Sequence, residues 1–182
     1  TQSDGPLNFS SNFFEIFSIP SGWHVDLADL DVRYRALQQE FHPDRYATKS
    51  DVEKRLAVQT ASLINQAFET LKTPLKRAQY LLELNDIDID KDTHITTDSQ
   101  FLMQQIELRE TLAGVVGKTD PWAELEKLRT HVEAIYQNLQ SEFFEGLSAK
   151  IFDSALTAVA KMQFFSKLLN EIEQLEADLE GS

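Results

Sequence analysis

At 182 residues the chain is long enough for one large or two small domains, each with a core of its own. With 42% hydrophobic and 26% charged residues it has the composition of a soluble globular protein, and the absence of cysteine excludes disulfides, thiolate zinc sites and thiolate-held iron–sulfur clusters within the chain. The formal net charge of −13 argues against a general nucleic-acid binder, which needs a basic footprint. Only six glycines and five prolines interrupt runs of Leu, Glu, Gln, Lys and Ala, so the expected fold class is all-α. No apolar run approaches the ~18 residues of a membrane span, and no signal-like segment follows the polar start, so an intracellular protein is expected.

Residues 1–11 read as a disordered tail or an appended remnant. Asn12 can cap a short helix carrying Phe13, Phe14, Ile16 and Phe17, which Pro20-Ser21-Gly22 breaks. Asp26 opens a longer helix with Leu27, Leu30, Tyr34, Leu37 and Phe41 at steps of three and four, hence on one face. Pro43 disfavours the α region for His42 and cannot continue the ladder, so that helix should stop near Phe41. The next helix runs from about Asp51 to Leu71 with the stripe Ala57, Ala61, Ile64, Phe68 and Leu71. The two stripes can close on each other, leaving His42, Pro43 and Asp44 on an exposed turn. Thr73-Pro74 starts a further helix with Ala78, Leu81 and Leu82 on its apolar side.

Asn85 to Asp98 is weakly patterned, with Asp86, Asp88, Asp90 and Asp92 alternating. The glycine and closing glutamate of a calcium loop are missing, so residues 85–97 read as an acidic linker, with the domain boundary near residue 90. Beyond it come three helical segments. In the first, from about Asp98 to Val115, the residues Phe101, Gln105, Leu108, Leu112 and Val115 should face the core. In the second, Asp120-Pro121 caps a helix striped by Trp122, Leu125, Arg129, Val132, Tyr136, Leu139 and Phe143. Gly146-Leu147-Ser148 permits a turn. The last stripe is Ile151, Ala155, Ala158, Met162, Phe165, Leu169 and Ile172, continued by Leu175 and Leu179. Residues 98–182 should therefore form a three-helix bundle.

Two stretches could carry function. In the His42-Pro43-Asp44 turn, an enzyme would use His42 as a base oriented by Asp44, but no nucleophile or pocket accompanies the pair. His24, His94 and His131 lack ligand spacing to His42, so no metal site and no cofactor are expected. On the first bundle helix, Met103 and Ile106 fall away from the core side, near Glu107 and Glu110. Leu102 lies on the flank and is either core in a wide stripe or part of the same surface, which Phe164 of the last helix can join. An apolar patch rimmed by acids is a protein-interaction candidate.

Residues 12–84 resemble the J domain, the module that stimulates ATP hydrolysis by DnaK-type chaperones. The resemblance rests on Phe13-Phe14-Glu15-Ile16-Phe17, on Tyr34-Arg35-Ala36-Leu37 leading into His42-Pro43-Asp44, and on Ile64-Asn65-Gln66-Ala67-Phe68-Glu69-Thr70-Leu71. It implies that His42, Pro43 and Asp44 dock on the chaperone, with Arg33, Arg35 and Arg45 as basic contacts. Arg45 stands where such domains often carry Lys, and Gln38, Gln39 and Glu40 where many are more basic, which points to a specialised chaperone. The segment Lys76-Arg77-Ala78-Gln79-Tyr80-Leu81-Leu82, the acidic linker and Phe101-Leu102-Met103-Gln104-Gln105-Ile106-Glu107-Leu108-Arg109-Glu110 extend the resemblance to the HscB family of iron–sulfur co-chaperones. That resemblance implies a bacterial cytoplasmic, non-enzymatic co-chaperone that stimulates HscA. It also implies binding of the cluster scaffold IscU through Leu102, Met103, Ile106, Glu107, Glu110 and Phe164. Neither nucleic acid nor membrane is an expected partner; a weak homodimer is an additional expectation. The rival is a generic J protein whose acidic half is only a dimerisation or spacer element.

Overall fold

The computed structural model describes residues 10–181, so residues 1–9 of the expected tail lie outside the described residues. Among the described residues there are helices and turns and no strand. Contacts divide the chain at Leu81/Leu82 into two compact units, a division that falls inside a helix and N-terminal to the boundary expected near residue 90.

The first unit holds α1 (Phe13–Ile16), α2 (Leu27–Glu40), α3 (Asp51–Lys72) and most of α4 (Pro74–Leu84). The Asn12 side chain accepts the Glu15 N–H at 2.9 Å, and Asp26 and Ser50 cap α2 and α3 in the same way. Phe14, Ile16, Phe17, Leu30, Ala57, Ile64, Ala67, Phe68, Leu71, Ala78 and Leu81 form the core. Of the α2 stripe only Leu30 is fully buried, and Leu27 is exposed. Tyr34 instead lies flat on Phe68, ring centroids 3.8 Å apart. Phe13 stacks on Tyr80 at 4.5 Å, joining α1 to α4. Trp23, which no helical stripe contains, is buried under the Arg77 guanidinium, 4.4 Å from its ring, while Arg77 donates to the Leu71 carbonyl at 2.8 Å.

In the second unit α5 (Ser99–Gly114), α6 (Pro121–Ser148) and α7 (Phe152–Glu180) pack together. Its core runs through Phe101, Leu108, Val115, Leu125, Leu128, Val132, Phe143, Leu156, Val159, Met162, Phe165, Leu168 and Ile172. Residues 85–97 are tied to this unit by Lys91, whose ammonium meets the Asp153 carboxylate at 2.8 Å. That hydrogen bond, and then the charge behind it, raises the Lys91 pKa and lowers that of Asp153.

Trp122, Ile151, Leu169 and Gly146 depart from the expected pattern. Trp122 is exposed because it stands in the first turn of α6, and Ile151 is exposed because it belongs to the α6–α7 turn. Leu168, not Leu169, is the fully buried member of its pair. Gly146 does not make the turn; it lies inside α6, where a Cβ would come within 2.9 Å of the Ala155 backbone nitrogen. The chain turns instead at Lys150, which is left-handed (φ 59°), as the Ile151 N–H returns to the Gly146 carbonyl at 2.8 Å. Glycine is thus spent on close helix packing, and an ordinary residue takes the left-handed turn position.

Candidate functional site

The first candidate is the turn after α2. Phe41 closes the helix, and Pro43–Tyr46 forms one 3-10 turn. His42 is extended (φ −62°, ψ 132°), as a residue before proline should be, and its Nδ1 accepts the Asp44 N–H at 3.2 Å. That bond assigns the proton of the neutral imidazole to Nε2. The Asp44 carboxylate is 92% exposed and 3.6 Å from the His42 ring nitrogen.

Beside the turn lies a groove of about 760 Å³ between α2 and α3. Arg35, His42, Pro43 and Arg45 line it together with Gln38, Gln39, Ala61, Ile64 and Asn65. Gln38 donates to the Tyr34 hydroxyl at 2.8 Å and that hydroxyl donates to Asn65 Oδ1 at 2.7 Å, which ties both walls to one ring. The lining contains no Ser, Thr, Cys or Lys side chain for the histidine to activate. Two arginines with a solvent-facing carboxylate alongside suit the recognition of a charged protein surface.

Arg33 is not brought to this groove. Its guanidinium pairs with Asp29 at 2.9 Å and donates to the carbonyls of Phe17 and Ser18 at 3.1 and 3.5 Å, closing the C-terminal end of α1. Arg33 and Arg35 lie about 200° apart around α2, so they serve different surfaces. Arg35 is 75% exposed and pairs with Asp31 on its own helix.

The second candidate is the outer side of α5. Asp98 caps the helix by accepting the Phe101 N–H at 3.0 Å. That bond lowers the Asp98 pKa, with the Lys161 ammonium at 3.5 Å adding to it. Phe101, Leu108 and Val115 face inward, whereas Leu102, Met103 and Ile106 are 51%, 62% and 50% exposed. Leu102 therefore belongs to the outer surface, not to a widened core stripe. Glu107 and Glu110 are exposed beside them.

Phe164 is half-buried on α7, edge-on to Phe101 with centroids 6.0 Å apart and to Phe165 at 5.1 Å. Arg109 lies over the Phe164 ring at 5.3 Å and is ion-paired to Glu171. Sequence reading did not single out Arg109 and Glu171; the signal was a basic residue within an otherwise apolar and acidic run. Among the described residues no group of His, Cys, Asp and Glu could hold a metal ion, and no helix is long and apolar enough to cross a membrane.

The chain matches the family described as the HSCB C-terminal oligomerisation domain over residues 97–173. It is 40% identical over 168 residues to the co-chaperone protein HscB homolog of Aeromonas hydrophila, covering 92% of this chain and 98% of that protein. The structure of the chaperone HscB from Vibrio cholerae is similar with a TM-score of 0.83 and 39% identity, covering 93% of this chain and 99% of that one. Human co-chaperone HscB is similar with a TM-score of 0.82 and 28% identity, covering 93% and 84%. In this light the first unit is a J domain followed by the C-terminal helical domain of these proteins, and the chain belongs to the HscB family of co-chaperones.

Proposed function

We propose that the protein stimulates the ATPase of a specialised DnaK-type chaperone, HscA, and delivers the iron–sulfur scaffold IscU to it. The observation that carries the reading is the pairing of two exposed surfaces on separately packed units. One is the His42-Pro43-Asp44 turn at the edge of a groove lined by Arg35 and Arg45. The other is the apolar strip Leu102, Met103 and Ile106 on a helix that packs into the core through Phe101 and Leu108.

On this reading the units divide as J domain 12–84, connecting segment 85–97 and scaffold-binding bundle 98–182. His42, Pro43, Asp44, Arg35 and Arg45 meet the chaperone, and Arg33 supports them by holding α1 to α2. A carboxylate on a stiff turn accepts a partner's arginine with little ordering cost. Leu102, Met103, Ile106, Glu107, Glu110 and Phe164 meet the scaffold. Hydrolysis takes place in the chaperone; this protein contributes proximity, because binding client and ATPase through two sites raises their effective concentration without new chemistry.

Steady-state ATPase of HscA with this protein, with and without IscU, tests the reading. Stimulation that rises further with scaffold is expected. His42→Gln should abolish stimulation and leave scaffold binding unchanged. Loss of both in a folded variant would mean that the two halves are not separate sites, and stimulation indifferent to scaffold would reject the reading in favour of a J protein whose bundle serves only as a spacer or dimer element.

A further inference from the structure

Phe164 is an unusual anchor, because it is neither core nor free. Two aromatic edges meet it from the protein side, Phe101 at 6.0 Å and Phe165 at 5.1 Å, while the Arg109 guanidinium covers it at 5.3 Å from the centroid. Arg109 is held in turn by Glu171, seven positions after Phe164 and therefore on the same side of α7. Around α5, Arg109 lies about 20° from Leu102 and about 60° from Ile106. The guanidinium thus stands at the seam where the exposed strip of α5 meets the Phe164 ring.

Both ends of this ion pair are partly in water, at 39% and 36% side-chain exposure, so it adds little to folding. The arginine's reach across the seam, with its plane over an aromatic face, suits it to a different task. We propose that Arg109, held by Glu171, is the positioning residue of the scaffold-binding surface: it fixes the Phe164 ring in its docking orientation and does not itself grip the scaffold. The inference rests on the proposed scaffold-binding role of this patch and adds to it a device for presenting the ring ready-made. Ordering the ring before binding removes a cost otherwise met at docking.

A double-mutant cycle on the full-length chain tests this, with affinity for purified IscU-type scaffold measured by calorimetry and folding followed by thermal unfolding. Arg109→Met keeps the stem and removes the charge; it should weaken binding roughly two- to fivefold with melting unchanged. Arg109→Lys, which keeps a cation over the ring, should recover part of the loss, and Glu171→Gln should behave as a milder Arg109→Met. In the Phe164→Ala background all three changes should have no further effect, since the ring they orient is gone. A loss that persists undiminished in that background would overturn the inference by making Arg109 a direct contact. So would unchanged binding by Arg109→Met while Phe164→Ala weakens it; either result leaves the scaffold reading standing. Unchanged binding by folded Phe164→Ala would instead remove Phe164 from the scaffold surface, and the inference with it.

Discussion

Truncating Ile106 is the sharpest probe of the α5 surface, because its exposure separates binding from folding. Fully burying an Ile, Leu or Met side chain is worth about 1.5–3 kcal/mol. Ile106 is already half covered, at 50% exposure, so docking can gain only the remaining half, about 0.8–1.5 kcal/mol. Ile106→Ala should therefore raise the dissociation constant for the scaffold about 4- to 12-fold. The same reasoning applies to Leu102 at 51% exposure and, with slightly more to gain, to Met103 at 62%. Folding should change by less than about 1 kcal/mol, since the lost contacts are few and alanine has the better helix propensity. Phe101, one position before Leu102 but 5% exposed, is the control: Phe101→Ala should cost about 3–5 kcal/mol of stability. Calorimetric titration with scaffold and denaturant unfolding measure the two effects. Unchanged affinity in all three surface variants would refute the assignment of this face. A stability loss above about 2 kcal/mol in any of them would refute the claim that the face is free.

The two arginines of α2 should separate in the same way. Arg33→Ala should lower the stability of the first unit by about 1 kcal/mol, because it removes the donors that close α1, as read by thermal unfolding. Arg35→Ala should leave melting unchanged and weaken chaperone stimulation in a salt-dependent manner. Glycine-to-alanine changes should have opposite signs at two positions. Gly146→Ala forces a Cβ against the Ala155 backbone and should destabilise by about 1–3 kcal/mol, whereas Gly114→Ala, with open space around it, should stabilise by about 0.5–1 kcal/mol. Asp98 has a lowered pKa in the folded chain, so its contribution is present above its unfolded value and is lost as pH falls through the folded one. Asp98→Asn should therefore make stability less steep against pH below about 4, measured by melting temperature across an acid series.

The helices and the exposure of the two candidate stretches were legible because both depend on local pattern. Three- and four-residue spacing located the stripes of α3, α6 and α7, and the caps at Asn12, Asp26 and Asp120 marked the starts of their helices. Pro43 identified the turn. What escaped was set by partners distant in sequence. Nothing local announces that Trp23 is buried beneath Arg77, or that Arg33 reaches back to the carbonyls of Phe17 and Ser18. Stripe ends also misled: Trp122 and Ile151 keep the period, but no neighbouring helix covers them there. A glycine near a helix end has two uses, a turn or a close approach, and only the position of Ala155 decides between them.

The proposed mechanism places strict demands on the two units. Tethering raises effective concentration when both sites can be engaged at once, and cores that do not share residues let a substitution at one site leave the other unchanged. The first unit is packed around Leu30, Ile64 and Leu71, the second around Val132, Phe143, Met162 and Phe165, all fully enclosed. Substitutions at the exposed His42 turn or the exposed Ile106 strip therefore leave both cores intact, and their effects on binding should add independently. The groove beside His42 supplies two arginines and a wall tied by hydrogen bonds, while the α5 strip supplies apolar area with Glu107 and Glu110 beside it. Each is suited to hold a partner in place. On the proposed reading the protein acts by deciding which two other proteins meet, and its output is read in the chaperone's turnover.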